Sequence, residues 1–103
     1  MSSRNYYPDK WVVLEFTVDG ETHKKVFASW YGNFTNGDSW KLSSAIDSTE
    51  ETAEAFVFHC CSGSSYHCHK NTHGMNMYSM SMYDYWSNEV KDMKISIAKG
   101  YGE

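Results

Sequence analysis

The chain has 103 residues, 41% hydrophobic and 17% aromatic, which is apolar bulk for one modest core and too little length for a second domain. That aromatic content excludes a disordered chain, since large apolar groups are what offset the entropy lost on ordering. A net charge of −4, with nine basic residues scattered along the chain, argues against duplex DNA, which needs a clustered cationic surface.

The N-terminus, Met1 to Pro8, has no apolar run of signal-peptide length, and no stretch reaches the roughly 18 apolar residues of a membrane span. A cytoplasmic protein with no membrane partner is expected. Reduced thiols are then expected at Cys60, Cys61 and Cys68.

From Trp11 the residues alternate. Val12, Leu14, Phe16 and Val18 point one way, and Trp11, Val13, Glu15 and Thr17 the other, as in a β-strand. Asp19-Gly20 suits a type I′ turn, whose two central residues both need positive φ, so a second strand is expected over residues 22–31. Residues 32–39 read as a loop, rich in Gly, Asn and Asp. A third strand is expected over residues 40–47 and a charged turn over 48–52. Residues 54–61 and 66–70 are then expected to form another hairpin, joined through Ser62-Gly63-Ser64-Ser65.

Over residues 76–93 the period changes. Met75, Tyr78, Met82, Trp86, Val90 and Met93 recur at spacings of three or four, which lines one face of a helix against a sheet. Lys91 and Lys94 near its end suit the negative pole of the helix dipole. Residues 94–99 are expected to form a last short strand, and 100–103 a frayed tail. The fold class is therefore α+β: an antiparallel sheet of four to six strands in a hairpin-rich meander, one C-terminal amphipathic helix on one face, then the final strand.

Four histidines and all three cysteines fall between His59 and His73. A three-residue loop, Gly63-Ser64-Ser65, would place Cys61 opposite His67, Cys60 opposite Cys68 and His59 opposite His69. One face would then carry Phe56, Phe58, Cys60, Tyr66 and Cys68. The other would carry His59, Cys61, His67 and His69, whose imidazoles and thiolate suit Zn²⁺ or a cuprous ion. A solvated polar face explains the same residues without any metal, and Cys60 and Cys68 are more simply small core groups. In the helix, Met77, Met80 and Tyr83 lie off the main stripe and suit a homodimer contact.

Gly37-Asp38-Ser39-Trp40 resembles the nucleophile block of certain esterases, but the later Asp-x-x-His pair that would activate the hydroxyl is missing. A hydrolase using Asp38, Ser39 and His69 stays as an alternative. No phosphate-cradling Gly-Lys-Ser loop, dinucleotide fingerprint or His-Glu-x-x-His occurs. No catalytic constellation and no cofactor are expected.

Four blocks carry a resemblance: Tyr7-Pro8-Asp9-Lys10-Trp11-Val12-Val13, Ala28-Ser29-Trp30-Tyr31-Gly32, Gly37 to Ile46, and Ser62 to Lys70. Over residues 6–75 they resemble a family of small proteins of unassigned activity encoded by tailed bacteriophages. The resemblance implies a phage origin and a place in the host cytoplasm. It directs attention to Trp30, Asp38, Ser39, Trp40, Ser62, Ser64, Tyr66, His69 and Lys70 as a groove for a small polar or phosphorylated ligand. Hydroxyls and Lys supply donors to an anion, and the aromatics supply stacking faces. The expected function is non-enzymatic binding, either of a host protein or of a small polar ligand such as a nucleotide. A metal-binding module is the alternative.

Overall fold

A computed structural model describes residues 4–32 and 39–101. The chain runs β1 (Arg4–Tyr6), β2 (Lys10–Val18), β3 (Glu21–Trp30), β4 (Ser39–Leu42), β5 (Ile46–Glu51), β6 (Ala55–Cys60) and β7 (Ser64–His69). A single 3₁₀ turn over Lys70–Thr72, helix α1 (Met77–Glu89) and β8 (Lys94–Ile97) complete it. The α+β class, the hairpins, the single helix and the short last strand are all present.

The strands divide into two sheets of four, one ordered β1-β7-β6-β5 and the other β4-β3-β2-β8. All neighbours are antiparallel except β1, which runs parallel to β7. The β2–β3 turn is formed as expected: Val18 pairs with Glu21, and Asp19 and Gly20 take φ of 51° and 83°.

The second sheet is the middle of three layers. Trp11, Val13, Val26 and Ala28 face Phe56, Phe58, Cys60, Tyr66 and Cys68 of the first sheet. Val12, Leu14, Phe16 and Phe27 lie on the other side, under Met82, Tyr83 and Trp86 of the helix. Both faces of β2 are covered, so Trp11 to Leu14 form one continuous apolar run, all buried.

The single strand expected over residues 40–47 is instead two. Leu42 ends β4 in one sheet and Ile46 opens β5 in the other. The crossing is pinned at both ends, by Ser43 N–H to Val26 O and by Cys61 N–H to Ala45 O, each 2.9 Å. Residues 48–51, expected as a turn, belong to β5, an exposed edge strand whose Asp47, Glu50 and Glu51 discourage pairing with other chains.

The helix starts where Asn76 accepts the Ser79 N–H at 2.8 Å and ends at Glu89, a turn short of the expected limit. Lys91 and Lys94 therefore fall beyond its last turn, and Lys94 opens β8. The buried face also turns. Tyr78, expected inside, is 47% exposed, while Ser79 is fully buried and its hydroxyl meets that of Ser29 on β3. Tyr83, assigned to a dimer contact, packs toward the sheet, whereas Met77 and Met80 stay exposed. Of the tail, Tyr101 is anchored edge-on against Phe56 and Phe58 at ring distances of 5.4 and 5.5 Å. No helix among the described residues is long and apolar enough to cross a membrane.

Candidate functional site

The β6–β7 hairpin decides which side chains meet. Its loop is Cys61-Ser62-Gly63, with Phe58 opposite Tyr66, Val57 opposite His67 and Phe56 opposite Cys68. Gly63, at φ 94°, occupies the last loop position, where a three-residue hairpin needs a left-handed residue. The register thus differs by four from the expected one. An even shift keeps every side chain on its face, so Phe56, Phe58, Cys60, Tyr66 and Cys68 do form the inner face.

The histidine pairing is overturned. His69 stands opposite Ala55, and His59 opposite Ser65. His59 is held by Glu50 and Ser65, and His67 stacks on Tyr7 at 4.7 Å and meets Asn5 at 3.1 Å. Among the described residues no three His, Cys, Asp or Glu side chains converge as a metal site would require. The metal set His59, Cys61, His67 and His69 is not brought together.

The expected ligand groove is divided as well. Trp40 lies on the helix side of its sheet, 5.6 Å from the Phe27 ring and 5.2 Å from Trp86. His69 is exposed at the far end of β7, and Lys70 there is bound to Glu51 at 2.6 Å. Trp30 gives its indole N–H to Tyr7 O, and Ser39 pairs beside it. Asp38 lies outside the described residues, and with it the Asp38, Ser39, His69 hydrolase set; Ser39 and His69 belong to different sheets.

Ser62, Ser64 and Tyr66 do come together. They line a cleft of about 390 Å³ where the ends of the two sheets meet, with Arg4, Tyr6, Lys41, Leu42, Ser43, Ser44 and Gly63. Three segments build it: β1, the crossing from β4 to β5, and the β6–β7 loop. Ser44 clamps the last two together, its hydroxyl donating to Ser62 Oγ at 2.9 Å and accepting the Ser62 N–H at 3.2 Å. Ser43 is fully used by the fold, accepting from Val26 N–H at 2.8 Å and donating to Ser44 O at 2.7 Å.

The cleft is electropositive in a chain of net charge −4, because its lining holds Arg4 and Lys41 and no carboxylate. Lys41 Nζ lies 5.5 Å from the Tyr6 ring centre, and Tyr6 stacks on Tyr66 at 4.8 Å. Among the described residues neither cation pairs with an acid, in contrast to Lys70. Burial pushes the Tyr66 phenol well above its ordinary range, so it stays protonated and adds no negative charge.

Lys41, Ser43 and Ser44 stand inside one of the sequence blocks but were not singled out from it. Arg4 and Tyr6 carried no signal, because β1 has three residues and too little alternation to read. No protein-family model, no curated protein and no solved structure matches this chain.

Proposed function

We propose that this domain is a binding protein that holds a small phosphorylated or similarly multivalent anion in the cleft between Arg4, Lys41 and the serine hydroxyls. The observation that carries the reading is the pair of cations, uncompensated by any acid among the described residues, that line one concave site. A guanidinium offers a planar donor fork and an ammonium a point charge, a combination suited to phosphate oxygens. Ser62 and Ser64 add hydroxyl donors. The Tyr6 ring is engaged by Tyr66 and Lys41, so recognition rests on the anionic group rather than on stacking of a nucleobase.

The resemblance to tailed-phage proteins points to binding in an infected cell, where it withdraws the ligand from host use. Calorimetric titration with inorganic phosphate, pyrophosphate and nucleoside phosphates at low salt tests the proposal. Lys41→Ala is expected to weaken binding by about tenfold or more, on the scale of one charge-assisted hydrogen bond. Equal affinity in Lys41→Ala and Arg4→Ala, or no binding of any of these anions, would refute it.

A second reading concerns the helix, where Met77 is 85% and Met80 49% exposed. These thioethers suit a homodimer or host-protein contact. Sedimentation analysis showing a monomer at all concentrations, unchanged in Met77→Lys, removes the homodimer.

A further inference from the structure

Alternation along β7 sends Ser64 and Tyr66 into the cleft and Ser65 to the opposite, outer face of the same sheet. On that face a second constellation forms. Ser65 Oγ lies 2.9 Å from His59 Nδ1, and His59 Nε2 lies 2.6 Å from Glu50 Oε2. The three residues come from β7, β6 and β5, joined across two antiparallel pairings.

A carboxylate only accepts, so in the neutral imidazole Nε2 carries the proton toward Glu50 and Nδ1 is left to accept from Ser65. This order of hydroxyl, imidazole and carboxylate is the one that activates a serine, recognised by geometry rather than by position in the chain. Here the two ring nitrogens exchange places relative to the chymotrypsin arrangement, with the same proton bookkeeping. Asn5 stands beside Ser65 in the parallel β1–β7 register. Its Oδ1 is 3.1 Å from His67 Nε2, and an amide oxygen only accepts, so the amide NH₂ is turned away from His67.

We propose that Ser65 is a nucleophile for small, activated carboxylic esters, with His59 as its base, Glu50 as the residue that positions His59, and Asn5 Nδ2 as donor to the oxyanion. Ser65 Oγ attacks the ester carbonyl carbon as its proton passes to His59 Nδ1. The tetrahedral oxyanion takes a hydrogen bond from Asn5. Collapse breaks the bond to the leaving alcohol, which departs with the proton held by His59. Water then attacks the acyl-serine by the same route, giving its proton to His59, and the serine leaves with that proton as the carboxylic acid is released. Ser65 itself is only 9% exposed, while the His59 and Glu50 side chains are 39% and 68% exposed and Tyr7, 64% exposed, lies flat on His67, so the leaving group that can reach the hydroxyl from this side is a small, flat aryl alcohol. A site whose base and carboxylate are exposed supplies little binding energy, which is why the class is activated esters rather than amides.

The test is exposure of the native protein to a fluorophosphonate, followed by intact mass and peptide mapping. The hydroxyl displaces fluoride at phosphorus, leaving a stable adduct. One adduct on Ser65 is expected, with labelling of His59→Ala slower by about 100-fold or more, as loss of a general base predicts. Glu50→Gln, with an unchanged melting temperature, is expected to label more slowly than the parent protein, which a merely structural cross-strand contact would not produce. Absence of label on Ser65 in the native protein, or labelling of His59→Ala at the parent rate, overturns the proposal.

Discussion

Among the described residues a single side-chain hydrogen bond, Ser29 to Ser79, ties the helix to the central sheet, and breaking it has a cost with a diagnostic pattern. Ser29 and Ser79 are both fully buried, and their hydroxyls bond each other across the interface. Ser79→Ala leaves the Ser29 hydroxyl without its partner, a penalty of about 1–3 kcal/mol. Alanine returns about 0.5 kcal/mol in helix propensity. The net loss is about 0.5–2.5 kcal/mol, a fall in Tm of roughly 2–20 °C for a domain of this size. Ser29→Ala is expected to cost a similar amount without the helix compensation. In the double variant two small apolar groups meet, no polar group is stranded, and stability is expected within about 1 kcal/mol of the parent. Urea unfolding of all four proteins gives the coupling energy. A double variant as unstable as the sum of the singles would refute the idea that the penalty lies in the orphaned partner.

Gly63→Ala is expected to cost about 1–2 kcal/mol, because φ is 94° while the added Cβ would meet nothing within 4 Å, so the loss is backbone strain alone; denaturant midpoints check it. Of the three thiols only Cys61 is exposed, and burial raises the pKa of Cys60 and Cys68, so one thiol is expected to react with Ellman's reagent in the native state and three in denaturant. The same burial sets an alkaline limit. Cys60, Cys68 and Tyr66 are all raised in the folded state, so the unfolded chain loses their protons first, and stability is expected to hold up to about pH 9 and fall steadily above it. Thermal melts between pH 7 and 11 measure this, and a flat profile would contradict the burial of these groups.

Alternation was readable wherever a strand had one solvated face and one buried face, or where turn chemistry bounded it. The β2–β3 hairpin and the inner face of β6 and β7 follow from Asp19-Gly20 and from the spacing of Phe56, Phe58 and Cys60. Residues 40–47 misled because apolar periodicity does not say which sheet a strand joins. Ser43-Ser44-Ala45, which carries the chain between sheets, has no Gly or Pro to mark the break. In the helix, counting only apolar residues hid Ser79, since a buried hydroxyl matched to Ser29 across the interface looks like a surface residue from one side alone. The cleft was half legible for a related reason. Ser62, Ser64 and Tyr66 share a hairpin, whereas Arg4 and Lys41 reach the same point only through a parallel strand pairing and a sheet crossing that no local pattern encodes.

The register of the β6–β7 hairpin ties the two chemical surfaces together. Slipping the pairing by four residues moves partners but preserves faces, which is why the inner core could be read correctly from a loop placed wrongly. A slip of one residue does the opposite, sending Ser64 and Tyr66 outward and Ser65 inward, so the proposed anion cleft and the proposed Ser65 relay would be lost together with the Tyr66 and Cys68 packing. Gly63 prevents this by supplying the left-handed residue at the loop's last position, and Gly63 N–H closes the turn onto Cys60 O at 2.9 Å. The burial of Phe56, Phe58, Tyr66 and Cys68 then makes any odd shift far more costly than the turn strain alone. The two proposed sites on β7 thus both rest on the hydrophobic pattern beneath them, and neither depends on the other for its chemistry.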